Sequence, residues 1–176
     1  FLKRDPPAYD LLHETLQNIR RDNLRADELI RNMKGLLTKS DTELTPVDIN
    51  WLVRKVLNFL SIEAKVRRIQ IRENLGQDGM LVSINIVQLQ QVLVNLILNS
   101  MDAIDRKKGK ERVITLETSL YASDQVRISV VDSGTGFDQG VERVFESFFT
   151  TKPEGVGLGL WISASIVQAH GEIGRA

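Results

Sequence analysis

The stretch Thr150-Thr151-Lys152-Pro153-Glu154-Gly155-Val156-Gly157-Leu158-Gly159-Leu160 sets three glycines at alternate positions and then runs into an apolar segment, Leu160 to Ala169, that reads as a helix. Glycine admits φ > 0 and lets a ligand approach the main chain with no Cβ in the way. A helix N-terminus offers unpaired N–H groups and the positive end of a dipole, and both attract phosphate. Lys152, just upstream, adds a mobile point charge. The stretch reads as a nucleotide-phosphate site, although glycine-rich turns before helices are common and the signal is weak alone. Most α/β phosphate binders carry their glycine loop after the first strand. Here it comes last, so the Rossmann and Walker readings fail on context.

Upstream of this loop, residues 137–156 have little periodicity apart from Val144-Phe145 and Phe148-Phe149, and read as a mobile loop with aromatic anchors. Before it, two alternating segments, Val113 to Tyr121 and Val126 to Val131, predict strands that end in the turn chemistry of Asp132-Ser133-Gly134-Thr135-Gly136. Leu89, Val92, Leu93, Leu96, Ile97, Ser100, Met101 and Ile104 fall on one face of a helix over about 86–105. Ile69, Ile71 and Leu75, then Met80, Val82 and Ile84, alternate as strands do, with a turn at 76–79 between them. Asp48 is placed to cap a helix carrying Ile49, Leu52, Val53, Val56, Leu57, Leu60 and Ala64. Downstream of the loop, the last helix closes at His170-Gly171, with glycine as its C-terminal cap. This order predicts an α+β domain with helices on one face of a mostly antiparallel or mixed sheet.

The polar segment Thr38 to Pro46 marks a boundary, giving expected domains of 1–45 and 46–176. Before it, Leu12, Leu16, Ile19, Asn23, Ala26, Ile30, Met33 and Leu37 are spaced four and three apart between charged residues. That is a heptad seam on one long helix, roughly 8–38, opened by Asp5-Pro6-Pro7. Its narrow stripe needs partner helices, and a homodimer through this helix is the expectation. Asn23 on the seam can fix register at some cost in stability.

Of the 176 residues, 42% are hydrophobic and 26% charged, which places the chain among globular proteins. A formal net charge of +0 argues against direct nucleic-acid binding. The absence of cysteine excludes disulfides and thiolate metal sites and fits a reducing compartment. Charges break every apolar run before it could span a membrane. The first residue is Phe rather than Met, so a fragment of a longer protein is expected.

Three polar groups stand out against apolar surroundings. Asn95 and Asn99 lie one turn apart in the run Leu93-Val94-Asn95-Leu96-Ile97-Leu98-Asn99. Buried unpaired they would be costly, and one of them could instead cap a neighbouring loop. A carboxamide oxygen is also a hard, neutral ligand suited to Mg²⁺. Asp132, at a strand's end before two glycines, either forms an Asx-turn or accepts a hydrogen bond from an exocyclic amine.

Taken in order, Asn-x₃-Asn, Asp-x-Gly-x-Gly, Phe-x₂-Phe-Phe-Thr-Thr-Lys and Gly-x-Gly-x-Gly closely resemble the ATP-binding domain of sensor histidine kinases. That domain belongs to the group shared with gyrase, the Hsp90 chaperone and MutL. The resemblance runs from about Pro46 to Gly171. It implies a two-layer α/β sandwich of Bergerat type, preceded by a long helix of a dimerisation bundle. It also implies ATP and Mg²⁺ as cofactors, with Asn99 as the metal ligand and Asp132 on the adenine amine. The implied nucleotide-binding set is Asn95, Asn99, Asp102, Ala103, Asp132, Gly134, Gly136, Phe137, Thr150, Thr151, Lys152, Gly155, Val156, Gly157, Leu158, Gly159 and Leu160. Phe145, Phe148 and Phe149 match the family's phenylalanine box, and 137–156 would be the lid.

The N-terminal helix resembles the second helix of the dimerisation hairpin in oxygen- and nutrient-sensing members. The phosphorylated histidine of those kinases is on the first helix, which is expected upstream of Phe1. His13 would then be a solvated surface histidine, and His170 a helix C-terminal residue interacting with the dipole. The family's usual continuation after His-Gly is a further glycine and a hairpin, so a domain cut short at its C-terminus is expected, with a lid short of a few residues near Gly140 and Val141.

Relatives that hydrolyse ATP carry a glutamate where this chain has Asn95, which cannot act as a general base. The expected activity of the parent is therefore phosphoryl transfer to a protein histidine, then to an aspartate of a response-regulator receiver domain. The alternatives are a GHKL-type ATPase, a serine-kinase anti-sigma factor, or a nucleotide-binding-only fragment unable to autophosphorylate. The expected location is cytoplasmic, with membrane attachment only through parts outside this chain.

Overall fold

Periodicity of 3.6 over 49–66 and 86–106, and of two over the intervening segments, decides the architecture of the computed structural model, which describes residues 12, 15, 16, 19, 44–107, 109–122, 125–137, 143–150 and 157–171. The chain divides into two units, Phe1–Lys39 and Ser40–Ala176. In the first, Leu12, Thr15, Leu16 and Ile19 are helical, and Leu12, Leu16 and Ile19 each leave about half their surface in solvent. The rest of the expected seam, with Asn23 and His13, lies outside the described residues.

The second unit begins with a strand that periodicity did not predict, β1 (Thr45–Asp48). It contains Pro46, which a strand tolerates at a sheet edge, and pairs antiparallel with β3 (Leu81–Ile84) from Thr45↔Ile84 to Asp48↔Leu81. Asp48 then caps α1 (Ile49–Val66): one carboxylate oxygen accepts the Trp51 N–H at 2.9 Å and the other the Gly79 N–H at 2.8 Å. Main-chain hydrogen bonds, that of Trp51 foremost, hold the Asp48 carboxyl below its ordinary value against the opposing effect of desolvation.

A mixed sheet forms from β2 (Gln70–Leu75), β4 (Val113–Ala122) and β5 (Gln125–Asp132). β2 runs parallel to β4, and β4 antiparallel to β5, so the expectation of a mixed sheet holds. The turn at 76–79 does not close a hairpin, because the strands on its two sides enter different sheets. α1 and α2 (Ile86–Arg106) cover the three-stranded sheet, and their apolar faces meet Ile114 and Leu116 of β4 in the main core. A smaller cluster, Val92 with Ile162 and Ile166, joins α2 to α3 (Gly159–Ala169). As expected, Gly171 follows α3 with φ +86°, a left-handed cap.

One inward position of β4 is polar. Thr118, buried beside Ile114 and Leu116, donates its hydroxyl to Asn50 Oδ1 at 2.6 Å, and Asn50 Nδ2 donates to the carbonyls of Gly76 and Gln77, each at 3.1 Å. This fully buried amide ties the 76–79 turn to both helix and sheet.

Candidate functional site

On α2, Asn95, Asn99 and Ala103 are spaced by four and so fall along one side of the helix, over about 12 Å. Each end of this line is pressed by a glycine from another element. At one end, a Cβ on Gly159 would lie 2.5 Å from Asn95 Oδ1. At the other, a Cβ on Gly134 would come within 2.7 Å of the Ala103 main chain and of its Cβ. These two glycines are therefore required by helix packing, a reason separate from ligand approach.

The asparagines are linked. Asn95 Nδ2 donates to Ser163 Oγ on α3 at 2.9 Å, and Asn99 Nδ2 donates to Asn95 Oδ1 at 3.3 Å. At the Ala103 end, β5 terminates in Asp132, whose exposed carboxylate accepts the Gly134 N–H at 2.8 Å. This is the Asx-turn foreseen for it, and it occupies only Oδ1. Ser133 continues the ladder through Val113, and Lys107 Nζ donates to its carbonyl at 2.8 Å. Gly136 has φ +67°, and Phe137 beside it is half exposed.

The described part of the aromatic loop, 143–150, is anchored differently from expectation. Val144 is its buried residue, Phe145 and Phe149 are partly buried, and Phe148 is 71% exposed with φ +66°. The Arg143 guanidinium sits 4.9 Å from the Phe149 ring centroid and pairs with Glu146 at 3.1 Å. The Phe148 N–H donates to the Gly157 carbonyl at 3.0 Å, and a Cβ on Gly157 would meet the Phe148 and Phe149 main chain at 2.5 Å. The loop is thereby fastened to the start of α3, whose N-cap position, Leu158, contributes no side-chain hydrogen bond.

Asn95, Asn99, Ala103, Asp132 and Gly134 are thus brought together around α2, with Gly159 and its neighbours Leu158 and Leu160 at the Asn95 end. Thr150 is exposed at the end of the described loop. Thr151, Lys152, Gly155 and Val156 lie outside the described residues. Asp102, next to Ala103, pairs at 2.8 Å with Arg67 at the end of α1. Arg67 also meets Glu63 at 2.7 Å and Asp105 at 2.9 Å. Burial opposes its charge, but the hydrogen bonds it donates to Asp102 and Glu63 outweigh that and raise its pKa above the ordinary guanidinium value.

Sequence reasoning missed Ser163, whose only signal was a polar residue inside an apolar helical run. It also missed part of His170's role. The Asn85 N–H donates to His170 Nε2 at 3.0 Å, so the ring proton is on Nδ1, which meets the Ile166 carbonyl at 2.8 Å. The imidazole does engage a carbonyl of its own helix end, and it also pins that end to the start of α2. A separate cleft of about 280 Å³, between Gln77–Val82 and Leu120, Gln125 and Val126, shares no residue with the candidate site.

Residues 84–176 match the family described as histidine kinase-, DNA gyrase B-, and HSP90-like ATPase. The chain is 34% identical over 167 residues to the sensor histidine kinase ZraS of Escherichia coli (strain K12), covering 94% of this chain and 35% of that protein. Its fold matches the catalytic domain of histidine kinase ThkA with a TM-score of 0.61 and 29% identity, over 73% of this chain and 82% of that one. It also matches full-length ShkA in complex with AMPPNP, with a TM-score of 0.68 and 26% identity over 98% of this chain and 38% of that one. The chain belongs to the family of histidine kinase-, DNA gyrase B- and HSP90-like ATPases, and within it to the ATPase domains of sensor histidine kinases.

Proposed function

We propose that this domain binds ATP with Mg²⁺ along the Asn95–Asn99–Ala103 side of α2, and that its parent kinase passes the γ-phosphoryl group to a histidine and then to a response-regulator aspartate. The observation that carries this reading is the pairing of a glycine loop at each end of that line, with an exposed carboxylate at one end and the start of a helix at the other. Asp132 would take the adenine amine through Oδ2, and Gly134 and Gly136 would border the base. The loop after Thr150, with Thr151 and Lys152, would meet the phosphates together with the first turn of α3.

The donor set suits Mg²⁺. Among the described residues no three His, Cys, Asp or Glu side chains gather to hold a metal unaided. Mg²⁺ commonly takes one or two protein oxygens and completes its shell with phosphates and water. The Asn99 carboxamide fits that limited role. When bound, the metal supplies charge neutralisation for transfer of the phosphoryl group, and the protein contributes positioning. Asn95 has no basic group with which to activate water, which favours transfer over hydrolysis.

Asp102 has a different place in this scheme, as the carboxylate that holds Arg67 and thereby α1 against α2. The chain has two histidines, and His170 is committed to Asn85 and Ile166. The acceptor on this reading is a histidine outside this chain, so the fragment does not phosphorylate itself. A homodimer through the N-terminal helix and a cytoplasmic location complete the proposal.

Calorimetry with ADP or ATP tests it. Asp132→Asn should weaken binding by roughly 10- to 100-fold, the size of one hydrogen bond to a charged group. Unchanged affinity would overturn the adenine assignment. Transfer of γ-label from ATP to the isolated chain would overturn the placement of the acceptor.

A further inference from the structure

α1 carries apolar side chains on two faces, and only one of them enters the core. Leu52, Val53, Val56, Leu57 and Leu60 line the inner face and are buried. On the outer face Trp51 is 49% exposed, Val66 57%, Phe59 65% and Ile62 69%. At 100° per residue these four fall within about 80° of arc, and they follow the helix for about 22 Å. Single exposed apolar residues are ordinary on a protein surface, but an aligned row of four large ones marks an interaction site. No residue of the row belongs to the candidate nucleotide site on α2.

The charges of this face are of one sign. The other exposed residues of α1 are Arg54, Lys55, Asn58 and Lys65, which are three cations and an amide. The one acid of the helix, Glu63, is only partly exposed and pairs with Arg67 at 2.7 Å. Arg54 lies 3.8 Å from Glu73 and 3.5 Å from Asp78, loose contacts between solvated groups. Lys55 stands inside the apolar row, four residues from both Trp51 and Phe59, with its ammonium 5.0 Å from the Trp51 ring centroid. Two copies of such a face would set cations against cations, which disfavours self-association. A helix lying in a membrane surface has a broad apolar face and keeps its cations on the opposite side. Here the row is narrow and a lysine interrupts it. A narrow seam with one charged position is the form read by a single partner helix, and the charge selects that partner.

We propose that the outer face of α1 docks an acidic amphipathic helix of a partner protein. Its apolar seam would cover Trp51, Phe59, Ile62 and Val66, one of its carboxylates would face Lys55, and others would run along the Arg54 and Lys65 side.

The test is fluorescence anisotropy on the full 176-residue chain with two labelled peptides of three heptads. Both have leucine at the seam positions; one has glutamate beside the seam and the other lysine. The acidic peptide should bind at least about tenfold more tightly than the basic one. Phe59→Ser combined with Ile62→Ser removes two apolar anchors and should weaken the acidic peptide by at least about tenfold. Lys55→Glu should narrow the ratio between the two peptides by about tenfold, an effect that general stickiness of the row would not produce. The urea midpoints of these variants should match the parent, because every substituted residue is exposed, and ADP affinity should stay within about twofold. Absence of peptide binding overturns the proposal, as does equal binding of the two peptides or indifference to the double substitution. Binding of the chain to phosphatidylglycerol vesicles that is lost in the double variant, with no peptide binding, would assign the face to a membrane surface instead. Concentration-dependent dimerisation lost in the same variant, again with no peptide binding, would assign it to a second copy of the chain.

Discussion

Asn50 on α1 and Asn95 on α2 both interrupt apolar helical runs, but their amides are used in different ways. Asn50 is fully buried, and its partners are two main-chain carbonyls, the buried Thr118 hydroxyl and, at 3.4 Å, the Asp78 carboxylate. Those carbonyls belong to the turn between two sheets, so the bonds close a loop and leave nothing to face a ligand. Asn95 and Asn99 are only partly buried, and Asn95 bonds to the side chains of Asn99 and Ser163. Side-chain partners can reorient at low cost, whereas main-chain partners move only with the fold. The first arrangement contributes stability. The second joins α2 to α3, and on the proposed reading it can convey the state of α3 to a ligand group on α2.

The strongest way to break this comparison is Asn50→Ala. It opens a void at a fully buried position and leaves the buried Thr118 hydroxyl short of its acceptor, a loss of about 1–3 kcal/mol for such a group, while the carbonyls of the exposed Gly76 and Gln77 can turn to water. A loss of about 3 kcal/mol in urea unfolding is expected, with nucleotide affinity of the folded fraction within about twofold of the parent. Asn99→Ala should behave oppositely: a stability change under about 1 kcal/mol, and at least roughly tenfold weaker Mg²⁺-dependent ADP binding. If the two variants behave alike, the distinction between closed and open polar sites fails.

Arg67→Gln sharpens the comparison at a third polar place. The guanidinium gathers Glu63, Asp102 and Asp105, and its removal leaves three carboxylates facing one another between the end of α1 and α2. A loss of about 2 kcal/mol is expected, since the cluster is partly solvated. Asp102→Asn should lose a smaller part of the same stability and leave ADP affinity within about twofold. Tenfold weaker nucleotide binding in Asp102→Asn would return that residue to the ligand site.

Much of this layout was legible from the sequence, because the helices and long strands have single-faced periodicity over many residues. β1 was not legible: four residues with a proline, paired as a two-stranded ribbon, are too short for alternation to register. Asn95, Asn99, Asp132 and the glycines could be picked out as residue types poorly suited to their surroundings. The reason for Gly134 and Gly159 was hidden, because whether a Cβ would strike Ala103 or Asn95 depends on the approach of elements distant in sequence. The same holds for Arg67 with Asp102, 35 residues apart, and for Asn95 with Ser163, 68 apart. Local patterning encodes the elements, and these long-range pairings arise only when the elements pack.

His170 gives a smaller test of how α3 is held. Its Nε2 accepts from the main chain of buried Asn85, so His170→Ala leaves that N–H short of a partner. The expected loss is about 1.5 kcal/mol, accompanied by weaker nucleotide binding if the C-terminal pin of α3 is felt at its Gly159 end. Lost stability with unchanged affinity would mean that the Ser163–Asn95 link alone suffices to register α3 on α2.

The smallest effect is expected at Asp48, a closed site like Asn50 but partly exposed. Asp48→Ala removes the cap of α1 and the bond to Gly79, and should cost about 1 kcal/mol at neutral pH. The folded protein holds this carboxyl below its ordinary value, so its contribution is complete above the unfolded-state pKa and fades as pH falls through the depressed folded value. The stability difference between parent and Asp48→Ala should therefore be flat from neutral pH down to the ordinary carboxylate range and shrink below it. A difference that persists unchanged well into acid would show that the protonated side chain caps α1 as well as the carboxylate does, and that the charge contributes nothing to the helix start.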